Sequence, residues 1–438
     1  MVPNIVTTIL DRLQGSGHEA YVVGGAVRDI CLGREPTDWD VATSAPTDTV
    51  RRLFRDMKYF SLNEYTVTLV HEGRQYEITT FRGEGRAGKT LQEDLGHRDF
   101  TINAMACDIH SERIIDPYGG RLDLARKMVR AVGNPADRFL EDPLRLIRAA
   151  RLAVELGFGI EHGTLKQMSV MAGELKRAAP ERIRDEFTKI LLSGKPSYGI
   201  KILLKTSVLK IFLPELSEGY RKRQNPYHGY TIFRHIMETV DRVQPELELR
   251  LAALLHDIAK PRVRKKTNNC YRFLDHDRVS ADLAREIMTR LRFSKHLTEQ
   301  VVRLVSLHMI NYNSDWSDRA VRRLMSRVGP EHLGRLLALR EADLVAHGKD
   351  SRALRMLVEL KERINRMAGS SPPLKTRDLA VNGRTVMNTL GLKQGPEVGR
   401  ILKWLMEKVL EDPELNRREE LVSLLKGLKI KEEIVPKE

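Results

Sequence analysis

Ala20-Tyr21-Val22-Val23-Gly24-Gly25-Ala26-Val27-Arg28-Asp29, followed after a short interval by Asp38-Trp39-Asp40-Val41, is the stretch whose reading decides the fold of this chain. A short apolar run gives way to two glycines and then to a helix-like run through Cys31, a strand–turn–helix signature. Glycine has no Cβ, so backbone N–H groups at Gly24-Gly25 can approach a phosphate closely, and a helix start is electropositive. A glycine pair alone commonly marks only a turn. In a strand, Asp38 and Asp40 share one face while Trp39 and Val41 pack behind them. Two carboxylates this close repel unless a cation bridges them, and hard oxygen ligands favour Mg²⁺. Glu77, on the next strand pair, could supply a third oxygen. An isolated Asp-x-Asp reads most simply as a solvated acidic turn. Joined to the glycine turn and Arg28, it reads as a phosphoryl-transfer site, with one metal activating an attacking hydroxyl and another steadying the leaving group.

Outward from this stretch, Ile5, Val6, Ile9, Leu10 and Leu13 form an apolar helical stripe ended by Gly15 and Gly17. Thr66–Val70 and Tyr76–Phe81 alternate around His71–Arg74 like a hairpin. Residues 1–130 therefore read as mixed α/β, and from about 131 onward the pattern is helical. Breaks at Arg223–Tyr227 and Ala368–Pro373 divide the remainder, giving expected units of 1–130, 131–223, 224–370 and 371–438.

With 74 Lys+Arg against 59 Asp+Glu, the formal charge of +15 favours a polyanionic partner, because phosphates reward cationic side chains through counterion release. Apolar runs such as Leu251–Leu255 fall far short of the roughly 18 residues a spanning helix needs. Met1–Leu13 lacks a basic leader and carries Asp11 and Arg12, so no signal peptide is read. Cys31, Cys107 and Cys270 are few and far apart, which excludes a disulfide framework. The expectation is a reduced, cytoplasmic protein with no membrane association.

The motif Gly24–Asp29 with Asp38-Trp39-Asp40 resembles the head of class II nucleotidyltransferases, the bacterial CCA-adding enzymes and poly(A) polymerases. Further motifs recur in the family's order: His97-Arg98-Asp99-Phe100-Thr101-Ile102-Asn103-Ala104, Asp116–Gly120, Glu141-Asp142-Pro143-Leu144-Arg145 and Glu181-Arg182-Ile183. The resemblance implies an α+β nucleotidyltransferase head, with a small mixed or antiparallel sheet, followed by an all-α neck, body and tail. It implies Asp38 and Asp40 as Mg²⁺-binding catalytic residues, and Gly25, Arg28 and Arg98 as nucleotide-binding residues. It further implies tRNA, at its acceptor end, as the partner and CTP, with ATP for a full CCA enzyme, as donor.

Asp142 and Arg145 by themselves permit a helix cap and a surface ion pair, and Arg148 and Arg151 a solvated basic stripe. The resemblance implies instead that Asp142 and Arg145 read the base edge in place of a template. A carboxylate accepts from the exocyclic amine of C or A while a guanidinium donates to ring acceptors. Arg148 and Arg151 would then hold the triphosphate or the RNA end. Two departures stand out. The family's first Arg of its RRD motif is His97 here, and Phe81–Asp94 is shorter than the counterpart that carries a loop associated with switching from C to A addition. A CC-adding specialist, served by a separate A-adding enzyme, is the resulting expectation.

In the helical block, His235, His256-Asp257, His276, His308 and Asp343 gather imidazoles and carboxylates suited to a borderline divalent metal. A histidine closing an apolar helix, here one expected to stop near Pro261, is often only a buried polar residue. The set resembles the HD phosphohydrolase superfamily, which implies His235, His256, Asp257 and Asp343 as ligands of a second divalent transition metal in a helical HD domain, with His276 in its second-helix segment. The segment Gly391–Gly399 resembles the family's RNA-binding tail but yields no site residues. The alternatives are a poly(A) polymerase and, from another class, a phosphohydrolase carrying a degenerate RNA-binding head.

Overall fold

In the computed structural model, Ala20–Val23 is strand β1 and Gly25–Cys31 a helix, joined at Gly24 as the local sequence dictates. Residues 2–83, 90–224, 230–267, 270–347, 351–369 and 374–428 are described. Part of the Phe81–Asp94 stretch, on which the expectation of CC addition falls, parts of the breaks near 224 and 370, and the charged tail lie outside them. The chain divides into two units, Met1–Ser217 and Glu218–Glu438.

The first unit is built on a seven-stranded mixed sheet. Its strands are β1, β2 (Asp40–Thr43), β3 (Lys58–Asn63), β4 (Thr66–His71), β5 (Arg74–Thr80), β6 (Ala106–Asp108) and β7 (Arg113–Ile115), in the order β3-β4-β5-β2-β1-β6-β7. The β4–β5 hairpin turns at Glu72 and Gly73, both at positive φ. Of the pairings, β2–β5 is parallel and the others antiparallel. One face buries Val23, Ala42, Phe81, Leu91, Leu95 and Ala106 in a common cluster. Burying a Val, Leu or Phe side chain contributes about 1.5–3 kcal/mol and an alanine less, which fixes the central strands beneath the site. Beyond residue 131 the unit is helical apart from the two-residue strand Gly159–Ile160, which pairs in parallel with Met128–Val129.

Among its described residues the second unit is helical apart from the antiparallel pair Lys265–Thr267 and Cys270–Arg272. Ile232–Arg242 packs on Leu247–Leu255 and Pro330–His347, and Lys295–Leu307 packs on Leu247–Leu255 and His276–Arg290. The helix expected to run to Pro261 ends at Leu255. His256–Ala259 form turns, and Pro261 sits in the first turn of a new helix, Lys260–Val263, where its missing N–H costs nothing. Among the described residues no helix is long and apolar enough to cross a membrane.

Candidate active site

The antiparallel register of β1 on β2 sets Asp40 opposite Val23, one residue before Gly24, and the parallel register of β2 on β5 sets it beside Glu77. Asp38 lies just ahead of the strand rather than in it and is exposed, while Trp39 and Val41 are buried. Gly24 has φ +73°, and a Cβ there would lie 2.9 Å from Arg98 Nη1 and 3.5 Å from Asp40 Oδ2. Only glycine satisfies both demands.

Around these groups lies a cavity of about 290 Å³, lined by Gly24, Gly25, Asp38, Asp40, Asp99 and Asn103 and by Arg28, Arg82, Arg98, Arg145, Arg148 and Arg151. The arginines are held from behind. Arg28 donates Nε and Nη2 to Asp29 and Nη1 to Asn103 Oδ1, the last at 2.9 Å. Arg148 donates to Asp99 at 3.2 Å and approaches Glu186, which also pairs with Arg151 at 2.9 Å. Asp99 would be raised by its burial, but Arg148 and Asn103 hold it below the ordinary carboxylate range.

The expected base-reading pair is not joined through its side chains. Arg145 donates to Glu141 Oε2 at 2.7 Å, to the His97 carbonyl at 2.6 Å and to the Arg138 carbonyl at 3.0 Å. Asp142 accepts from Arg182 at 3.1 Å and takes the Leu144 N–H as a turn between two helices. His97 pairs with Glu141 at 3.1 Å, so the residue that departs from the family pattern touches the group holding Arg145. Arg82, Asp94, Asp99, Asn103 and Glu186 were not singled out from the sequence, although Asp99 and Asn103 lie within the His97–Ala104 motif.

The acidic end fits a hard cation. Asp40 is pushed above its usual range by burial, with Arg98 opposing and Asp38 adding to the shift. Glu77 is raised by burial and then by Asp40 and Asp38. Carboxylates that crowd one another in this way are the donor set a divalent cation relieves.

In the second unit the expected ligands converge. His235 Nε2 lies 3.0 Å from Asp343 Oδ1, 3.3 Å from Asp257 Oδ2 and 3.2 Å from His256 Nε2. His276 Nε2 lies 3.3 Å, and His308 Nε2 3.8 Å, from the other oxygen of Asp257. His256, His276 and His308 each direct Nδ1 to a backbone carbonyl three residues upstream, leaving Nε2 facing the cluster. His235/His256/Asp257, His235/Asp343/His347 and Asp257/His276/His308 each have the spacing of a metal-binding triad. Both Asp257 oxygens and His276 Nε2 are buried without a hydrogen-bond partner, although they have charged neighbours. Burial would lower His256, but Asp257 and Asp343 push it up to about 10; burial and His256 pull His308 down to about 3. His347 and Lys260, the latter 2.6 Å from Asp257, were not anticipated.

Carboxylates clustered at the start of the central strand β2, beside an arginine-lined cavity, are the arrangement of a nucleotidyltransferase site. Residues 20–130 match the poly A polymerase head domain, residues 157–219 the probable RNA and SrmB-binding site of polymerase A, and residues 263–425 tRNA nucleotidyltransferase domain 2. The chain is 34% identical to the A-adding tRNA nucleotidyltransferase of Deinococcus radiodurans, over 89% of this chain and 91% of that one. It is 33% identical to the CC-adding tRNA nucleotidyltransferase of Thermus thermophilus, over 90% of each. Its fold is similar to the Bacillus stearothermophilus CCA-adding enzyme in complex with CTP, with TM-score 0.73, 28% identity and 98% of each chain covered. The chain belongs to the family of bacterial CCA-adding enzymes and poly(A) polymerases.

Proposed function

We propose that this chain extends the 3′ end of tRNA without a template, adding C from CTP and releasing pyrophosphate, and that it stops after CC. The gathering of Asp38 and Asp40 with Arg28, Arg98, Arg145, Arg148 and Arg151 around one cavity carries this reading. Asp38 and Asp40, with Glu77 beside them, would hold Mg²⁺, which supplies charge stabilisation at the reacting phosphate and activates the RNA 3′-hydroxyl. Arg28 and Arg98 orient the triphosphate, with Gly24-Gly25 allowing close backbone approach. Arg148 and Arg151 extend the positive lining toward the RNA end. Asp142 and Arg145 read the base once Asp142 exchanges Arg182 for the exocyclic amine. The protein's part is positioning and electrostatics rather than covalent chemistry.

Relatives with A-adding, CC-adding and CCA-adding names resemble the chain to similar degrees, so restriction to CC rests on the short Phe81–Asp94 connection. A separate A-adding enzyme then completes the end. The test supplies each labelled NTP singly, and then CTP with ATP, to a tRNA ending at the discriminator base. The expected product is CC; efficient terminal A addition would refute the restriction, and long A tracts would indicate poly(A) synthesis.

A second activity is favoured by the three metal-type triads, two of which share Asp257. The helical HD reading assigns His235, His256, Asp257 and Asp343 to a divalent transition metal, with hydrolysis of phosphoesters as its chemistry. Protein supplied with Ni²⁺ or Mn²⁺ that cleaves neither 2′,3′-cyclic phosphates nor phosphomonoesters would reduce this region to scaffold. On this account the protein acts in the cytoplasm, where its tRNA substrate is matured.

A further inference from the structure

Behind the cavity lies a carboxylate that does not line it. Asp94 is 0% exposed, in the short helix Leu91–Gly96 that packs on β2 and is entered through a Thr90/Glu93 capping box. Its Oδ1 accepts both the backbone N–H and Nε of Arg82 at 3.2 Å, and its Oδ2 accepts Nε and Nη2 of Arg98 at 3.2 Å. Burial would raise this carboxyl, yet Arg98 and Arg82 hold it below its usual range, so it is a buried anion. Gripping Arg98 by its Nε–Nη2 edge leaves Nη1 free of that grip and beside Gly24, on whose other side lies the Asp40 carboxylate that Arg98 influences through charge. The order across the site is therefore anion, guanidinium, anion: Asp94, Arg98, Asp40.

That order has a chemical consequence. A guanidinium is a fork that pairs edge-on with a carboxylate. Released from Asp94, Arg98 would be drawn toward Asp40, whose charge it already opposes across the cavity. A full Arg98–Asp40 pair would remove a donor from the cation and a positive group from the triphosphate together. We propose that Asp94 is a positioning residue for nucleotide transfer: it pins Arg98 and Arg82 from behind, so that Arg98 faces the triphosphate while Asp40 stays available to the divalent cation. This rests on the transfer reading of the cavity. The competing account is that Asp94 merely ties the exit of β5 to the following helix through the Arg82 backbone.

Asp94→Asn separates the two, since Asn keeps the shape and an acceptor for that backbone N–H but loses the charge. CTP binding is followed by calorimetry without tRNA, and Mn²⁺ binding by electron paramagnetic resonance with CTP present. Expected for Asp94→Asn is a loss of about tenfold in CTP affinity, the scale of a charged hydrogen bond, together with weaker Mn²⁺ binding. Adding Arg98→Ala should cost no further CTP affinity beyond Arg98→Ala alone and should restore part of the Mn²⁺ binding, because the competing guanidinium is gone. Wild-type binding of both ligands by Asp94→Asn, or full additivity in the double variant, would overturn the proposal. Should Asp94→Asn fail to fold, Arg98→Lys keeps the charge but cannot be pinned by a forked edge. It should weaken Mn²⁺ binding severalfold, and unchanged Mn²⁺ binding there would equally overturn the proposal. A wild-type protein that binds no CTP would instead overturn the transfer reading beneath it.

Discussion

The cavity of the first unit and the His/Asp cluster of the second both gather carboxylates, but they solve opposite electrostatic problems. In the first, Asp38, Asp40 and Asp99 face six arginines, and the space remains open. In the second, His235, His256, Asp257, His308 and Asp343 are all buried, with imidazole nitrogens and carboxylate oxygens closing on one another. An excess of guanidinium around an acidic end suits a polyanion arriving with its own hard cation. Imidazole with carboxylate, sealed from water, suits a resident transition metal. The lesson is that counting acidic residues does not separate the two sites; the chemistry and accessibility of their neighbours do.

The sharpest break in this comparison comes from Asp40→Ala. Transfer should fall by about a thousandfold or more, the scale of losing a principal electrostatic stabiliser, while tRNA retention in a filter assay persists. Retention of a tenth of the wild-type rate would remove the distinction between the sites. Next in size, Asp257→Ala should lower the affinity of the second unit for Ni²⁺ or Mn²⁺ by at least about a hundredfold, since outer partners alone are worth up to that much. Metal content after gel filtration reads this directly, and unchanged stoichiometry would argue against Asp257 as the shared ligand.

Gly24→Ala probes how tightly the open site is built. A side chain at φ +73° in contact with Arg98 should destabilise the protein by about 1–3 kcal/mol in urea unfolding and raise the KM for CTP. A neutral substitution would mean that the turn has room to relax. The smallest effect is proton-linked. Asp94 and Asp99 have depressed carboxyl pKa values in the folded unit, so their stabilisation is fully present above the ordinary aspartate range near pH ~4. It is lost as pH falls further, because the unfolded chain takes up protons that the folded one refuses. Asp99→Asn should flatten that acid limb in unfolding titrations; an unchanged slope would show that Asp99 does not contribute.

Much of this was legible in the chain because it is local. The β1 strand, the Gly24 turn and the Glu72-Gly73 hairpin follow from residues within a few positions of one another. Glu77 reads from the sequence as a candidate oxygen, but its place directly beside Asp40 does not follow locally, since it depends on a parallel register between strands that have two others between them in the chain. Nothing in the spacing around Asp94 marks it, and its importance appears only when Arg82 and Arg98 close on it. Arg145 illustrates the same limit. Spacing allowed a partner three residues back, but the Glu141 carboxylate four residues back holds it, drawn into place by His97 and Arg138 as well. Pro261 suggests a stop in the sequence yet sits in the first turn of the next helix, because a proline is compatible with both. His347 stands one helical turn beyond Asp343, but its place in the cluster depends on the packing of Pro330–His347 against Ile232–Arg242, which brings it beside His235.

Anomalous diffraction from crystals soaked with Mn²⁺ and a non-reacting CTP analogue tests the central assignment most directly. The account predicts a peak in contact with carboxylate oxygens of Asp38 and Asp40, at about 2.0–2.6 Å as hard cations bind oxygen, with the triphosphate lying along Arg98. Density for the nucleotide elsewhere, or a cavity without manganese while the nucleotide is bound, would contradict it.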